Sequence, residues 1–302
     1  MRRIEVNNVN RESRIGKAFN SLFKIINAST DDDVEFDCSN NQFFHPFFIA
    51  PLAIFRDNIT GRSIDCINLR SPLKSYLEAI SFYSPREINS EEDVDDIIKE
   101  YSNKSYTPVC KFNARSETEV DKISSKIQKL IEIQSKVNDY RAKGSLTYMF
   151  SELISNIVEH SDGKYGYIYS QYLKNENSVD ICIADNGITI LGSYLKSERE
   201  EYRSIESSAK ALVSAVNGFS TKDKPAAENR GYGISTSIKM LVKGLKGAFF
   251  ILSGDAFYRN DGKDEGEVVS LPEGIEWSGT IVLLRIPLGN IPKDFDIYQY
   301  AE

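Results

Sequence analysis

The chain has 302 residues, 41% of them hydrophobic and 27% charged, enough to bury a large core and to suggest two domains. A formal charge of -7 and a pI near 5.2 argue against nucleic acid as the main ligand. Cys38, Cys66, Cys110 and Cys182 form no Cys-x-x-Cys pair, and no apolar run is long enough for a leader or a bilayer span, so a cytoplasmic protein with small buried thiols and no membrane partner is expected.

Residues 1–13 are polar and read as loosely held. From 15 to 27, Ile15, Phe19, Leu22, Phe23 and Ile26 recur with helical spacing. Asp31-Asp32-Asp33 marks a turn and 34–38 alternate as a strand. The apolar run 43–55 reads as a buried helix starting near Pro46, with Pro51 in its first turns or kinking it. Residues 63–69 read as a second strand, and Ser71-Pro72 opens a helix to Phe82 with Leu73, Leu77 and Ile80 inward. An acidic helix over 91–101 and a strand over 108–113 follow. This alternation predicts a small α/β layer with parallel pairing. The strand, aromatic turn and helix resemble the STAS fold of anti-sigma factor antagonists. Where that family carries a phosphorylatable Ser, this chain has His45-Pro46-Phe47, so the resemblance implies a packing or docking domain rather than a phosphoacceptor.

Residues 116–141 are predicted to be one long helix, with Val120, Ile123, Ile127, Leu130 and Val137 on a stripe interrupted by Gln134. Such a stripe covers one face of the adjoining domain or, alternatively, pairs with a second copy as a homodimer seam. Next comes an amphipathic helix over 145–161, with Leu146, Met149, Phe150, Leu153, Ile154 and Ile157 on one arc. Glu152, Asn156 and His160 follow each other at i, i+4 along its edge, which sets a carboxylate and a carboxamide one turn apart. His160 reads as a structural histidine at the helix end.

Strands over 165–173 and 179–184 should form an antiparallel hairpin that ends on Asp185-Asn186-Gly187. A charged stretch with a helix over 200–216 and a small-residue loop over 218–227 leads to Asn229-Arg230-Gly231-Tyr232-Gly233-Ile234 and a helix over 234–242. Residues 247–252 and 279–288 read as central strands, the second opened by Gly279-Thr280. Taken singly, these signals have plain structural readings. Glu152 reads as a core-rim residue, Asn186-Gly187 as a type I′ turn into 188–191, and Gly231-Tyr232-Gly233 as a chain reversal.

In that order, helix with Glu and Asn, strand ending in Asp-x-Gly, Gly-x-Gly before a helix and Gly-Thr before a strand, the segment 145–288 resembles the GHKL ATPase superfamily. Its members include gyrase B subunits, the large heat-shock chaperone, histidine kinases, MutL proteins and the anti-sigma serine kinases. The resemblance implies a Bergerat-type two-layer α/β sandwich with a mixed sheet, preceded by the small STAS-like α/β domain. Domains are accordingly expected at 1–115, a connecting helix at 116–143, an ATP-binding domain at 144–290 and a tail at 291–302. It implies ATP and magnesium as cofactors. Asn156 would ligate the metal, and Glu152 would act as general base. Asp185 would accept from the adenine amino group, Gly187 would admit the base, and Thr280 would stand near it. Arg230, Gly231, Tyr232, Gly233 and Ile234 would receive phosphates at a helix start.

Lys222 and Lys224 either reach a phosphate or stay solvated. Thr189 stands where many relatives have a second glycine, which implies a less open turn. No helix carries a phosphorylatable His in the place that histidine kinases use, and no P-loop motif occurs. The expected function is a regulatory, magnesium-dependent ATPase whose nucleotide state governs docking of a domain or of a protein partner. The alternatives are an anti-sigma-type serine/threonine kinase and a nucleotide-dependent binding module without turnover.

Overall fold

Val179, Ile181 and Ile183 point to one side of the strand Ser178–Asp185 and Cys182 and Ala184 to the other, all buried, so this strand needs a cover on both faces. The computed structural model describes residues 2–5, 22–24, 33–114, 117–137, 139–160, 162, 165–197, 200–219, 233–263, 265–289, 291–292 and 295–300.

In chain order the first half contains β1 (Arg2–Glu5), β2 (Val34–Asp37), α1 (Pro46–Asn58), β3 (Ile64–Ile67), α2 (Ser71–Ala79), β4 (Arg86–Ile88), α3 (Glu91–Tyr101), β5 (Cys110–Asn113) and α4 (Glu117–Ser135). The second half contains α5 (Tyr140–His160), β6 (Tyr165–Leu173), β7 (Ser178–Asp185), α6 (Ile190–Lys196), α7 (Ser208–Val216) and α8 (Ile234–Ile238), the last continuing as a π-helical segment, Lys239–Gly244. Then come β8 (Ala248–Gly254), β9 (Ala256–Asn260), β10 (Glu267–Ser270) and β11 (Trp277–Pro287).

The protein is a mixed α/β structure. Strands β1, β2 and β3 form a small parallel sheet. The large sheet has eight strands in the order β10-β9-β8-β11-β7-β6-β5-β4, with β4 and β5 parallel and the other pairs antiparallel. One face of it packs against α3, α4, α5, α7 and α8 through Ile168, Val179, Ile181, Ile183, Ile251 and Val282. The other face, with Tyr167, Tyr169, Cys182, Phe250 and Leu283, is covered by α1, α2 and the small sheet. The N-terminal elements thus lie on the face of the large sheet opposite α3, α4, α5, α7 and α8, because the central strands are apolar on both sides. The sheet also crosses the boundary expected at 115/116, since β4 and β5 belong to it.

Local chemistry explains the helix starts. His45 Nδ1 accepts from Phe47 N at 3.1 Å and Pro46 occupies the first turn of α1, which runs through Pro51 and is buried from Pro46 to Ile54. A capping box of Ser90 and Asp93 opens α3. In α2 the capping position is Arg70 rather than Ser71, without a side-chain cap, and the helix stops at Ala79. The long helix expected to Arg141 ends at Ser135, where Lys136 adopts φ 53°. A new helix starts at Tyr140, with Arg141 N bonded to Asp139 Oδ1 at 2.9 Å. Of the helix expected over 15–27, residues 22–24 are described and helical; the rest lies outside the described residues.

A buried ion pair ties the central strands to α1. Asp180 of β7 is fully buried, and Arg285 of β11 donates to both of its oxygens, at 2.8 and 2.7 Å. The Arg285 guanidinium lies 5.5 Å from the Phe47 ring centroid, and its Nη2 is 3.1 Å from His45 Nε2. Burial pushes the Asp180 carboxyl up to about 6 against the pull of Arg285. Burial, reinforced by the Arg285 charge, pushes His45 down to about 3. Cys38, Cys110 and Cys182 are buried free thiols and Cys66 is half-buried; burial raises Cys110 to about 12. Among the described residues, no helix is long and apolar enough to cross a membrane.

Candidate functional site

The six apolar residues of the α5 arc, Leu146 to Ile157, are all buried, each contributing about 1.5–3 kcal/mol if fully transferred from water. Their packing sets Asn156, on the edge of the arc, near the C-terminal end of β7. There an open cavity lies between α5, β7, α6, α8 and β11.

Asn156, Asp185, Gly233, Ile234 and Thr280 all line this cavity. Glu152 is half-buried one turn before Asn156 and outside the lining, and Gly187 is in the turn just after Asp185. Arg230, Gly231 and Tyr232, like Lys222 and Lys224, lie outside the described residues, as does most of the loop expected over 218–227. For His160 only the helical backbone is described.

The cavity's apolar walls come from Leu153, Ile157, Ile188, Ile251 and Val282. Asp185 is 5% exposed, and its Oδ1 accepts from Gly187 N at 2.8 Å, which fixes the carboxylate within an Asx turn. Strand β11 can lie against this turn only because residue 279 is glycine. Its φ is +83°, and a Cβ there would be 2.4 Å from the Asp185 carbonyl oxygen. A break in register between Trp277 and Thr280 precedes the regular pairing of β11 and sets Thr280 opposite Ser253.

Ser253 carries no signal in the sequence, although it organises one wall. Its hydroxyl donates to Gly279 O at 3.1 Å and accepts from Ile190 N at 2.9 Å. Thr280 Oγ1 lies 3.1 Å away and, because the single Ser253 proton is used, donates to it. The type I′ turn into a strand at 188–191 does not form. Thr189 instead caps α6, accepting from Gly192 N at 3.1 Å. Tyr194 of α6 also lines the cavity and donates to Phe219 O at 2.6 Å, tying α6 to the end of α7. Phe219, 60% exposed, stands at the rim. The helix expected over 200–216 divides into a short 3-10 turn, Glu200–Tyr202, and α7.

The cavity thus brings apolar walls together with a buried carboxylate, Asp185, an amide, Asn156, and a hydroxyl, Thr280. Among the described residues, no group of three or more His, Cys, Asp or Glu side chains is placed to hold a metal ion. A magnesium ion held largely by water and phosphate oxygens would need only one protein oxygen, and the Asn156 amide is the residue in the lining that could supply it. Compared with protein-family models, with curated proteins and with solved structures, the chain matches none.

Proposed function

We propose that the protein binds ATP with magnesium in this cavity and that nucleotide state regulates docking of its N-terminal layer or of a protein partner. One observation carries this reading: Asn156, Asp185, Gly233, Ile234 and Thr280, from four separate stretches of the chain, line the same cavity. In this reading the large sheet with α5, α7 and α8 is a Bergerat-type unit, and the small parallel sheet with α1 and α2 is a STAS-like docking layer.

Bound ATP with its magnesium supplies the transferable phosphoryl group. Asp185 then accepts from the base amine, held in place by its bond from Gly187 N. Asn156 would hold the metal through its amide oxygen, and the backbone at Gly233 and Ile234 would receive phosphate, the role the GHKL resemblance also assigns to Arg230, Gly231 and Tyr232. The Glu152 carboxylate, one turn from Asn156, would take a proton from the water that attacks the γ-phosphorus, as the bond to the β-phosphate breaks and ADP and phosphate leave.

The test is ATP binding and phosphate release with magnesium for the wild type, Glu152→Ala and Asn156→Ala. Turnover by the wild type, binding without turnover in Glu152→Ala and loss of magnesium-dependent binding in Asn156→Ala are expected. Glu152→Ala turning over at the wild-type rate would remove Glu152 from the chemistry.

A further inference from the structure

The N-terminal layer reaches the turn that carries Asp185 and Gly187. Asn186 sits between them; its Nδ2 donates to Asn58 Oδ1 at 2.7 Å and its Oδ1 accepts from Tyr165 N at 3.0 Å. Asn58 is the last residue of α1. The Tyr167 hydroxyl lies 3.0 Å from Asn58 Oδ1 and 2.7 Å from Asp57 Oδ2, and divides its one proton between them. Asp57 is paired with Lys111 of β5 at 2.8 Å, with both side chains mostly buried. The Lys111 ammonium in turn lies 4.1 Å from the Tyr165 ring centroid. The end of α1 is thus fixed to β5 and β6 before it touches the turn, and a fixed acceptor can orient what it binds.

We infer that Asn58 and Asn186 are positioning residues through which α1 sets the 185–187 turn and, with it, the aim of Asp185 into the cavity. What Asp185 reads rests on the nucleotide reading above; the setting of the turn does not. By linkage, a ligand that tightens the turn tightens the end of α1 to the same degree, giving the N-terminal layer a direct sense of site occupancy.

The experiment uses the full chain with Asn58→Ala and Asn58→Asp. Asn58 is exposed, the Tyr167 hydroxyl keeps Asp57 as acceptor in either variant, and aspartate keeps an acceptor oxygen for Asn186 Nδ2 that alanine lacks. Hydrogen exchange of the Gly187 amide is measured without nucleotide, and Mg-ATP and Mg-GTP binding by calorimetry. In Asn58→Ala, Gly187 exchange is expected to rise about three- to tenfold, the loss of one modest hydrogen bond. ATP affinity should fall by a similar factor with GTP affinity unchanged, so that base discrimination narrows, and Asn58→Asp should restore both. Gly187 exchange at the wild-type rate in Asn58→Ala overturns the inference. Faster exchange in a protein whose wild type binds no nucleotide upholds the positioning and removes the nucleotide reading instead.

Discussion

Gly279 lies against Asp185 so closely that a Cβ on it would be 2.4 Å from the Asp185 carbonyl oxygen and 2.6 Å from Oδ1. Gly279→Ala is expected to destabilise the fold by about 2 kcal/mol or more, through left-handed backbone strain added to a clash with main chain. It should also weaken ATP binding by displacing the carboxylate. Gly274, at φ +81° with nothing within 4 Å of where a Cβ would stand, separates the two effects. Gly274→Ala should cost about 1 kcal/mol and leave ATP affinity alone. Urea unfolding and calorimetry on both variants check this.

Arg285→Met should cost about 3 kcal/mol near pH 8, because it leaves the fully buried Asp180 carboxylate without its partner. The penalty should shrink toward pH 5. Burial already holds the Asp180 carboxyl near 6, and without Arg285 it takes up a proton more readily. Asp180→Leu combined with Arg285→Met should be more stable than Arg285→Met alone at pH 8. Urea titrations at the two pH values measure both.

His45 is folded in its neutral form, accepting from Phe47 N and facing Arg285. Its folded value, about 3, is below the ordinary 6.5, so its contribution is fully present above pH 6.5 and is lost as pH falls from 6.5 toward 3. His45→Asn keeps a side-chain cap for α1 but cannot titrate. The stability advantage of the wild type over His45→Asn should therefore decline by about 2 kcal/mol between pH 7 and pH 5. A difference independent of pH would contradict the assignment.

Part of the cavity's lining is legible in the sequence because those residues sit on elements whose own patterns are strong. The apolar arc of α5 fixes the edge on which Asn156 stands, and the alternation in β7 carries Asp185 to the strand end. What stays hidden depends on tertiary partners. The run from Ile188 to Leu191 is too short for periodicity to separate strand from helix; the Thr189 cap and the bond from Ile190 N to Ser253 decide it. The alternation of β5 identifies a strand but not its neighbour, so its place beside β6 in the large sheet cannot be inferred from it. Asp139, an N-capping type of residue, is the available signal for the break before α5.

Equilibrium binding of Mg-ATP to the wild type and to Asp185→Ala, by calorimetry, tests most directly whether the cavity takes adenine nucleotide. Saturable one-to-one binding by the wild type, weakened at least about tenfold in Asp185→Ala by loss of a charge-assisted hydrogen bond, is expected. No binding by the wild type, or equal affinity in the two proteins, would contradict it.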